Sequence, residues 1–386
     1  MAAHSIGIIG YGGFGQFLHH SWQEMSDVQV IAVADQNPAT KPPTGPRFYQ
    51  DWHELTRDPQ VEIVSIATPP STHAEMACRA MEAGKHVLVE KPLATTVQAA
   101  RKIIEVQRKT GKIAAVNYML RFNPIIEALA ELTKKKVFGE LRRAAVENYA
   151  QDEVLPPEHW FWRPNISGGI LIEHAVHFID LVHYLSDQKR RWVSGACHYR
   201  NAQQEDVVIA NVLYDRGLIA THYHSFTRPG FFEKTTIRLA YDLAQVDIEG
   251  WIPLQGRLQA LVNTETKALL DTIPGLEITE AVDINDVKDE SRPEGWGNVG
   301  SENSRPRGYV RSRGISYPVT EMVIAQFEIG KRKQQVYAES VRRVLSDLIK
   351  KIEDPSHSMR ITLNDGLTSL EIAELAAACG RKNRRE

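Results

Sequence analysis

The sequence predicts an α/β fold in two parts: an N-terminal doubly wound parallel sheet, then a C-terminal α+β unit with a large, mostly antiparallel open sheet. Three observations predict it. A glycine-rich turn, Gly10-Tyr-Gly-Gly-Phe-Gly15, joins a β-like run (Ile6, Ile8, Ile9) to a helix-like one (Phe14, Phe17, Leu18, Trp22). Strand and helix signals then alternate with short connections. Beyond Asn123-Pro124 the pattern becomes one helix followed by alternating strands. The boundary falls between residues 1–122 and 123–386.

Each glycine of the turn has its own task in a dinucleotide-binding, Rossmann-type sheet. Gly10 permits the tight turn, Gly12 lets the backbone approach a pyrophosphate, and Gly15 lets helix and strand pack closely. The helix N-terminus presents free N–H groups to the phosphates. Val28 to Asp35 is the second strand, and its carboxylate follows Gly15 by 20 residues, placed for a ribose 2′-hydroxyl. Ile63 to Ala67 is a compact buried strand, broken by Thr68-Pro-Pro-Ser-Thr-His73. A helix follows over Ala74 to Ala83, closed by Gly84. His86 to Glu90 is the next strand, interrupted by Lys91-Pro92. Thr95 or Thr96 caps a helix through Thr110, ended by Gly111, and Ile113 to Asn117 is the last strand of this part. Ligands bind such sheets at the carboxyl ends of strands. Gly10, Asp35, Thr68–Pro70, Glu90–Pro92 and Asn117–Arg121 all fall on that edge.

In the second part a helix spans Ile125 to Lys135. Strands cover Arg142–Tyr149, Arg191–Tyr199, Val207–Tyr214, Leu218–Phe226 and Thr235–Leu239, with Asp215-Arg-Gly217 as a hairpin signal. Residues 285–314 read as a long polar loop. Gln335–Glu353 and Leu363–Cys379 have helical periodicity, and Arg381–Arg385 reads as a solvated tail.

Composition excludes several classes of partner. A net charge of −2 favours neither nucleic acid nor an anionic membrane. No stretch approaches the 18 apolar residues of a membrane helix. The chain enters a strand almost at once, which predicts no signal peptide. Three cysteines without a C-x-x-C pair predict reduced thiols and a cytoplasmic protein.

Two clusters could do chemistry. Lys91, at a strand terminus, either reaches into a cleft or faces solvent before a turn proline; the tripeptide leaves both open. In Ser167-Gly-Gly-Ile-Leu-Ile-Glu-His-Ala-Val-His-Phe-Ile-Asp180, Gly168 and Gly169 allow a tight helix entry. Helical spacing puts Glu173, His177 and Asp180 on one face, and a histidine beside a carboxylate suits proton transfer near neutral pH. Taken alone, His177 reads as a satisfied buried histidine rather than as a base. His174, His183 and His198 read as structural. His222 and His224 alternate on one strand face, but two histidines without a third ligand do not make a catalytic metal site, and no metal is expected; His224 could face a substrate.

Taken together these motifs resemble the Gfo/Idh/MocA oxidoreductases. The resemblance rests on Gly10–Gly15, Ala67-Thr-Pro-Pro-Ser-Thr-His73, Glu90-Lys-Pro92, Arg121-Phe-Asn-Pro124, Trp162-Arg163 and Gly168-Gly169…Glu173…His177…Asp180, in that order and spacing over the first 180 residues. It implies a catalytic lysine and histidine at Lys91 and His177 with Glu173 beside them, a cis bond before Pro92, and a sugar-like substrate between the two parts. The candidate cofactor contacts are then Gly10, Tyr11, Gly12, Gly13, Phe14, Gly15, Asp35, Thr68, Pro69, His73, Glu90, Lys91 and Asn117. Substrate would meet Lys91, Arg121, Trp162, Arg163, Glu173 and His177. Many members carry Asp where this chain has Glu173, so its carboxylate sits one methylene further out. Asp35, followed by Gln36 rather than a cation, favours NAD over NADP. The expected activity is oxidation of a secondary hydroxyl of a sugar, glycoside or cyclitol. A redox-assisted glycoside hydrolase or lyase that recycles its NAD, and a non-catalytic dinucleotide sensor, are the alternatives. The resemblance also implies a homodimer or homotetramer.

Overall fold

The computed structural model describes residues 3–153, 155–286 and 308–383. Most of the predicted 285–314 loop and the end of the Arg381–Arg385 tail lie outside the described residues.

Six parallel strands form the first sheet: β1 (His4–Ile9), β2 (Val28–Ala34), β3 (Arg47–Tyr49), β4 (Ile63–Ile66), β5 (His86–Val89) and β6 (Ala114–Val116). Their order is β3-β2-β1-β4-β5-β6, so the strand order reverses beside β1. That reversal opens a crevice at the carboxyl ends, where such sheets take their ligands. Helices α1 (Gly13–Trp22), α2 (Trp52–Arg57), α3 (His73–Glu82) and α4 (Val97–Thr110) connect the strands. Local chemistry sets their ends: the Thr96 side chain accepts from the Ala99 N–H, and Gly111 closes α4 at φ +66°. The sequence reading missed the short β3 and α2.

In the second part, the Asn123 side chain caps α5 (Pro124–Lys134) by accepting from Ile125 and Ile126 N–H groups. After it come β7 (Leu141–Gln151), the short α6 (Pro164–Ser167) and α7 (Val176–Ser186). Strands β8 (Arg190–Tyr199), β9 (Glu205–Tyr214), β10 (Ile219–Arg228), β11 (Lys234–Tyr241), β12 (Ala244–Glu249) and β13 (Gln255–Val262) precede α8 (Thr264–Leu269) and β14 (Leu276–Asp283). A hairpin of β15 (Tyr309–Ser312) and β16 (Ile315–Pro318) leads to β17 (Glu321–Glu328). Nine of these strands make one sheet, ordered β14-β17-β13-β12-β11-β7-β10-β9-β8, antiparallel except for the β7–β10 pair. The reading of 309–314 as loop is thus corrected: Tyr309–Ser312 pairs with Ile315–Pro318 around the positive-φ Arg313 and Gly314.

The last two helices, α9 (Lys333–Glu353) and α10 (Leu363–Asn383), return to the first sheet. The Trp22 indole on α1 donates to the Val341 carbonyl at 3.5 Å, and Phe17 packs on Tyr337 with ring centres 4.7 Å apart. Gly366 on α10 sits directly over Leu93 and Val116. Both parts consequently share one continuous apolar core, and the crevice at the first sheet's edge is walled by the second part.

Candidate active site

At that crevice lies a cavity of about 1000 Å³. One end is the glycine-rich turn. Gly10 adopts φ +89°, closed to most side chains. A Cβ on Gly15 would lie 2.0 Å from the Gly10 carbonyl oxygen, so only glycine lets α1 start this close to β1. Gly12 and Gly13, by contrast, face open space in which a Cβ would meet nothing within 4 Å. This is a cradle of bare backbone at a helix N-terminus, and it fits a pyrophosphate. Asp35 lines the same end, its carboxylate accepting from the Tyr11 and Asn37 N–H groups at 2.8 Å each. Phe14, Thr68, Pro69, Glu90, Lys91 and Asn117 also line the cavity. Glu90 accepts from the Asn117 amide at 2.5 Å, and burial pushes its carboxyl up to about 7.

Lys91 and His177 meet at the other end. The Lys91–Pro92 bond is cis. Lys91 Nζ donates to Glu173 Oε1 at 2.5 Å and to the Glu173 carbonyl at 2.9 Å. An ammonium has three donors, so one N–H remains for a ligand oxygen. Burial is the largest influence on the Glu173 carboxyl and would raise it, but the charge and hydrogen bond of Lys91, together with His174 and His73, hold the group below its usual range. His177 is almost wholly buried at the cavity wall, with Tyr118 edge-on at 6.1 Å and its Nδ1 lacking any partner. Burial first, and the nearby Lys91 charge second, hold its pKa well below 6.5.

The helix that presents these groups is not regular. Gly168 and Gly169, at φ +86° and +93°, turn the chain sharply, as expected. Leu171–Ala175 then winds as a single π turn before α7. Such turns carry one extra residue and re-aim side chains. The regular spacing predicted for Glu173, His177 and Asp180 is corrected accordingly. Glu173 engages Lys91 rather than the His177 ring, and Asp180 turns away to pair with Arg121.

Other sequence-based assignments are corrected as well. Arg121 is buried outside the cavity, its guanidinium held by Asp180 at 2.6 and 2.8 Å and by Asp365 at 2.9 Å, so it cannot meet substrate. His73 is fully buried between the Pro92 and Thr68 carbonyls, with a ring nitrogen 2.7 Å from the first and 2.8 Å from the second; it braces those loops and lies outside the cavity lining. The Tyr11 side chain points to His19, leaving only its backbone near the cradle. Trp162 lies beneath the cavity with its indole donating to the Leu155 carbonyl, and Arg163 is exposed outside it. A 3-10 turn explains this: Trp160–Trp162 splay apart, and Trp160 and Phe161 line the cavity instead. The sequence reading also missed Asn148, Trp251 and Tyr337, which line the cavity from distant elements, and treated His174 as structural although it lines the cavity too. His224 is fully buried behind His174, outside the lining.

Two protein-family models match the chain. One, described as an oxidoreductase family with an NAD-binding Rossmann fold, covers residues 4–118, and the Gfo/Idh/MocA C-terminal domain covers 126–240. The chain belongs to the Gfo/Idh/MocA oxidoreductase family. It is 33% identical over 150 residues to a scyllo-inositol 2-dehydrogenase (NAD(+)) of Bacillus subtilis, an alignment covering 39% of this chain and 42% of that enzyme. It is 30% identical over 162 residues to a levoglucosan dehydrogenase of Pseudarthrobacter phenanthrenivorans, covering 40% and 41%. These alignments span about half the length of the curated relatives or less. Over the whole fold, a levoglucosan dehydrogenase in complex with NADH and L-sorbose superposes with a TM-score of 0.74 at 18% identity, covering 99% of this chain and 98% of that one. That likeness is one of fold. Among the described residues no helix is long and apolar enough to cross a membrane, and no group of three or more His, Cys, Asp or Glu is placed to hold a metal ion.

Proposed function

We propose that this member of the family oxidises a secondary hydroxyl of a sugar, glycoside or cyclitol, with NAD as hydride acceptor. One observation carries the reading. An ion-paired lysine from the first sheet and an unpartnered imidazole from the second part face one cavity that is continuous with the glycine cradle. The relatives named as inositol and levoglucosan dehydrogenases support the substrate class.

Nicotinamide bound beside Lys91 would supply the hydride acceptor. His177, neutral at working pH, takes the proton of the hydroxyl as the general base. The third N–H of Lys91 holds the oxygen on which negative charge develops. Glu173 keeps that ammonium aimed; a lysine serving as base would have to give up its ion pair with a buried carboxylate at 2.5 Å. This observation favours His177 over Lys91 as base. Trp160, Phe161, Phe226 and Trp251 give this cavity aromatic walls.

Asp35 supports NAD, since a 2′-phosphate would meet its charge. Asp35→Ala should raise the Kd for NAD by roughly tenfold or more, the loss of a hydrogen bond to a charged group, and narrow the gap to NADP. Fluorescence titration with NADH and NADPH measures both. An unchanged NADH affinity would remove Asp35 from the site.

The test of function is a panel of myo-inositol, scyllo-inositol, levoglucosan, D-glucose and aryl glucosides, followed both for NADH and for released aglycone. NADH formation supports the dehydrogenase. Aglycone release without NADH would assign the redox-assisted hydrolase, and tight NAD binding with neither product would assign the sensor.

We also propose a cytoplasmic homo-oligomer assembled through the open face of the nine-stranded sheet. Cys78 and Cys379 are free thiols. Trp192, Leu213 and Ile219 are neighbours in register on β8, β9 and β10, and all three are exposed in the single chain. Sedimentation of wild type against Trp192→Glu reads the state.

A further inference from the structure

His174 lies three residues before His177, on the π turn, and its ring lines the same cavity. A chain of hydrogen bonds behind it fixes what it can offer. The Asn148 amide donates to Thr235 Oγ1 at 2.7 Å, and its carbonyl faces His174 Nε2 at 3.1 Å. Asn148 and Thr235 are both buried and pair across β7 and β11, so each is the other's direct side-chain partner. With the Asn148 amide oriented toward Thr235 in this way, its carbonyl accepts from the ring, which places the hydrogen on Nε2 and leaves a lone pair on Nδ1. The ring is wedged between Phe226 (5.1 Å, 82°), Phe178 (5.8 Å) and His224 (5.4 Å), so it has little freedom to turn. Burial also pushes its pKa down to about 4, keeping the imidazole neutral at working pH.

The charges around this end of the cavity narrow what reaches that lone pair. Among the described lining residues Lys91 is the one lysine or arginine, and Glu173 already occupies it. Glu233 adds a carboxylate at the same end. A carboxylate or phosphate on the substrate would find no unpaired cation, whereas a neutral polyhydroxy ring finds an acceptor and aromatic walls.

We propose that His174 is a specificity-determining acceptor: its bare Nδ1, locked by Asn148 and Thr235, receives a hydrogen bond from a hydroxyl other than the one oxidised, on an uncharged carbohydrate. The proposal rests on the dehydrogenase reading for its substrate, and on the ring's own hydrogen-bond chain for the acceptor.

The variants are His174→Asn, whose Oδ1 sits one bond from Cγ where Nδ1 was, and His174→Phe, which keeps the bulk without an acceptor. With myo-inositol, levoglucosan, D-glucose and methyl β-D-glucopyranoside as probes, His174→Phe should raise KM at least roughly tenfold for whichever turns over. Its kcat should stay within about threefold and its Kd for NADH unchanged, and His174→Asn should recover most of the loss. An unchanged KM in His174→Phe, or no recovery in His174→Asn, would overturn the proposal. If none of the probes turns over, the dehydrogenase reading fails, yet His174 can still be judged. In the 15N imidazole spectrum of the NADH complex, the signal missing from His174→Asn should show Nδ1 unprotonated. A proton on Nδ1 would overturn the proposal whatever the activity.

Discussion

Replacing His177 with alanine should lower kcat by about 10²–10⁴, the range for loss of a positioned general base, with NAD affinity retained. The separation follows from position. His177 sits at the end of the cavity remote from the glycine cradle, and its side chain supports no neighbour through hydrogen bonds. The pH profile adds a second reading. Burial and the adjacent ammonium lower the folded pKa below 6.5, so the imidazole is neutral above that value. Activity is therefore present at neutral pH and lost as pH falls through the folded pKa, placing the acid limb of kcat/KM below 6.5. A lysine base would behave differently, since activity would climb toward alkaline pH as the ammonium gave up its proton. Lys91→Met separates the roles further: it removes the cation next to His177 and should shift the acid limb upward while slowing turnover. Undiminished turnover in His177→Ala, or a limb rising through alkaline pH, would transfer the base role to Lys91.

The sequence carried the first sheet almost residue by residue, because its signals are local. Gly10 and Gly15 announce a turn and a close helix contact, Thr96 and Gly111 cap one helix, and unbroken β-branched runs mark strands buried on both faces. The second sheet was legible only through β11. Strands such as Gln255–Val262 and Leu276–Asp283 alternate apolar with Gln, Arg and Glu because one face is open, and that weak alternation resembles loop composition. Within the site, Lys91, Glu173 and His177 could be found from motif spacing, but their mutual bonding could not. Assuming a regular helix put Glu173 beside His177, and one π turn gave the carboxylate to Lys91 instead. Asn148, Trp251 and Tyr337 had no sequence signal at all, since each reaches the cavity from an element brought there only by the packing of sheet and helices. Arg121 misled for the opposite reason. It lies next to the site in sequence, on the right sheet edge, and only the tertiary structure shows its charge to be consumed.

That consumed charge gives the largest expected effect on stability. Arg121 reaches Asp180 through two N–H groups, Asp365 through a third contact, and the Arg360 carbonyl through another. It thereby ties the end of the first sheet to α7 and to the start of α10. Burial pushes Asp180 up to about 6, still ionised at pH 7 because the guanidinium faces it. Arg121→Leu leaves that carboxylate buried at 2% exposure without a counter-charge, a change that costs about 3–5 kcal/mol when one partner of a buried pair is removed. Urea denaturation should show a stability loss of that size, read as a lower midpoint with the slope unchanged. The double variant Arg121→Leu/Asp180→Leu should recover part of the loss, because removing both charges abolishes the desolvation penalty rather than stranding one ion. The recovery distinguishes an electrostatic tie from a packing one: if Arg121 acted through its bulk alone, the second substitution would only add to the damage. Turnover measured on the folded fraction should change far less than in His177→Ala, since Arg121 lies outside the cavity. A loss of activity in stably folded Arg121→Leu comparable to that of His177→Ala would return Arg121 to the substrate site and contradict the burial seen here.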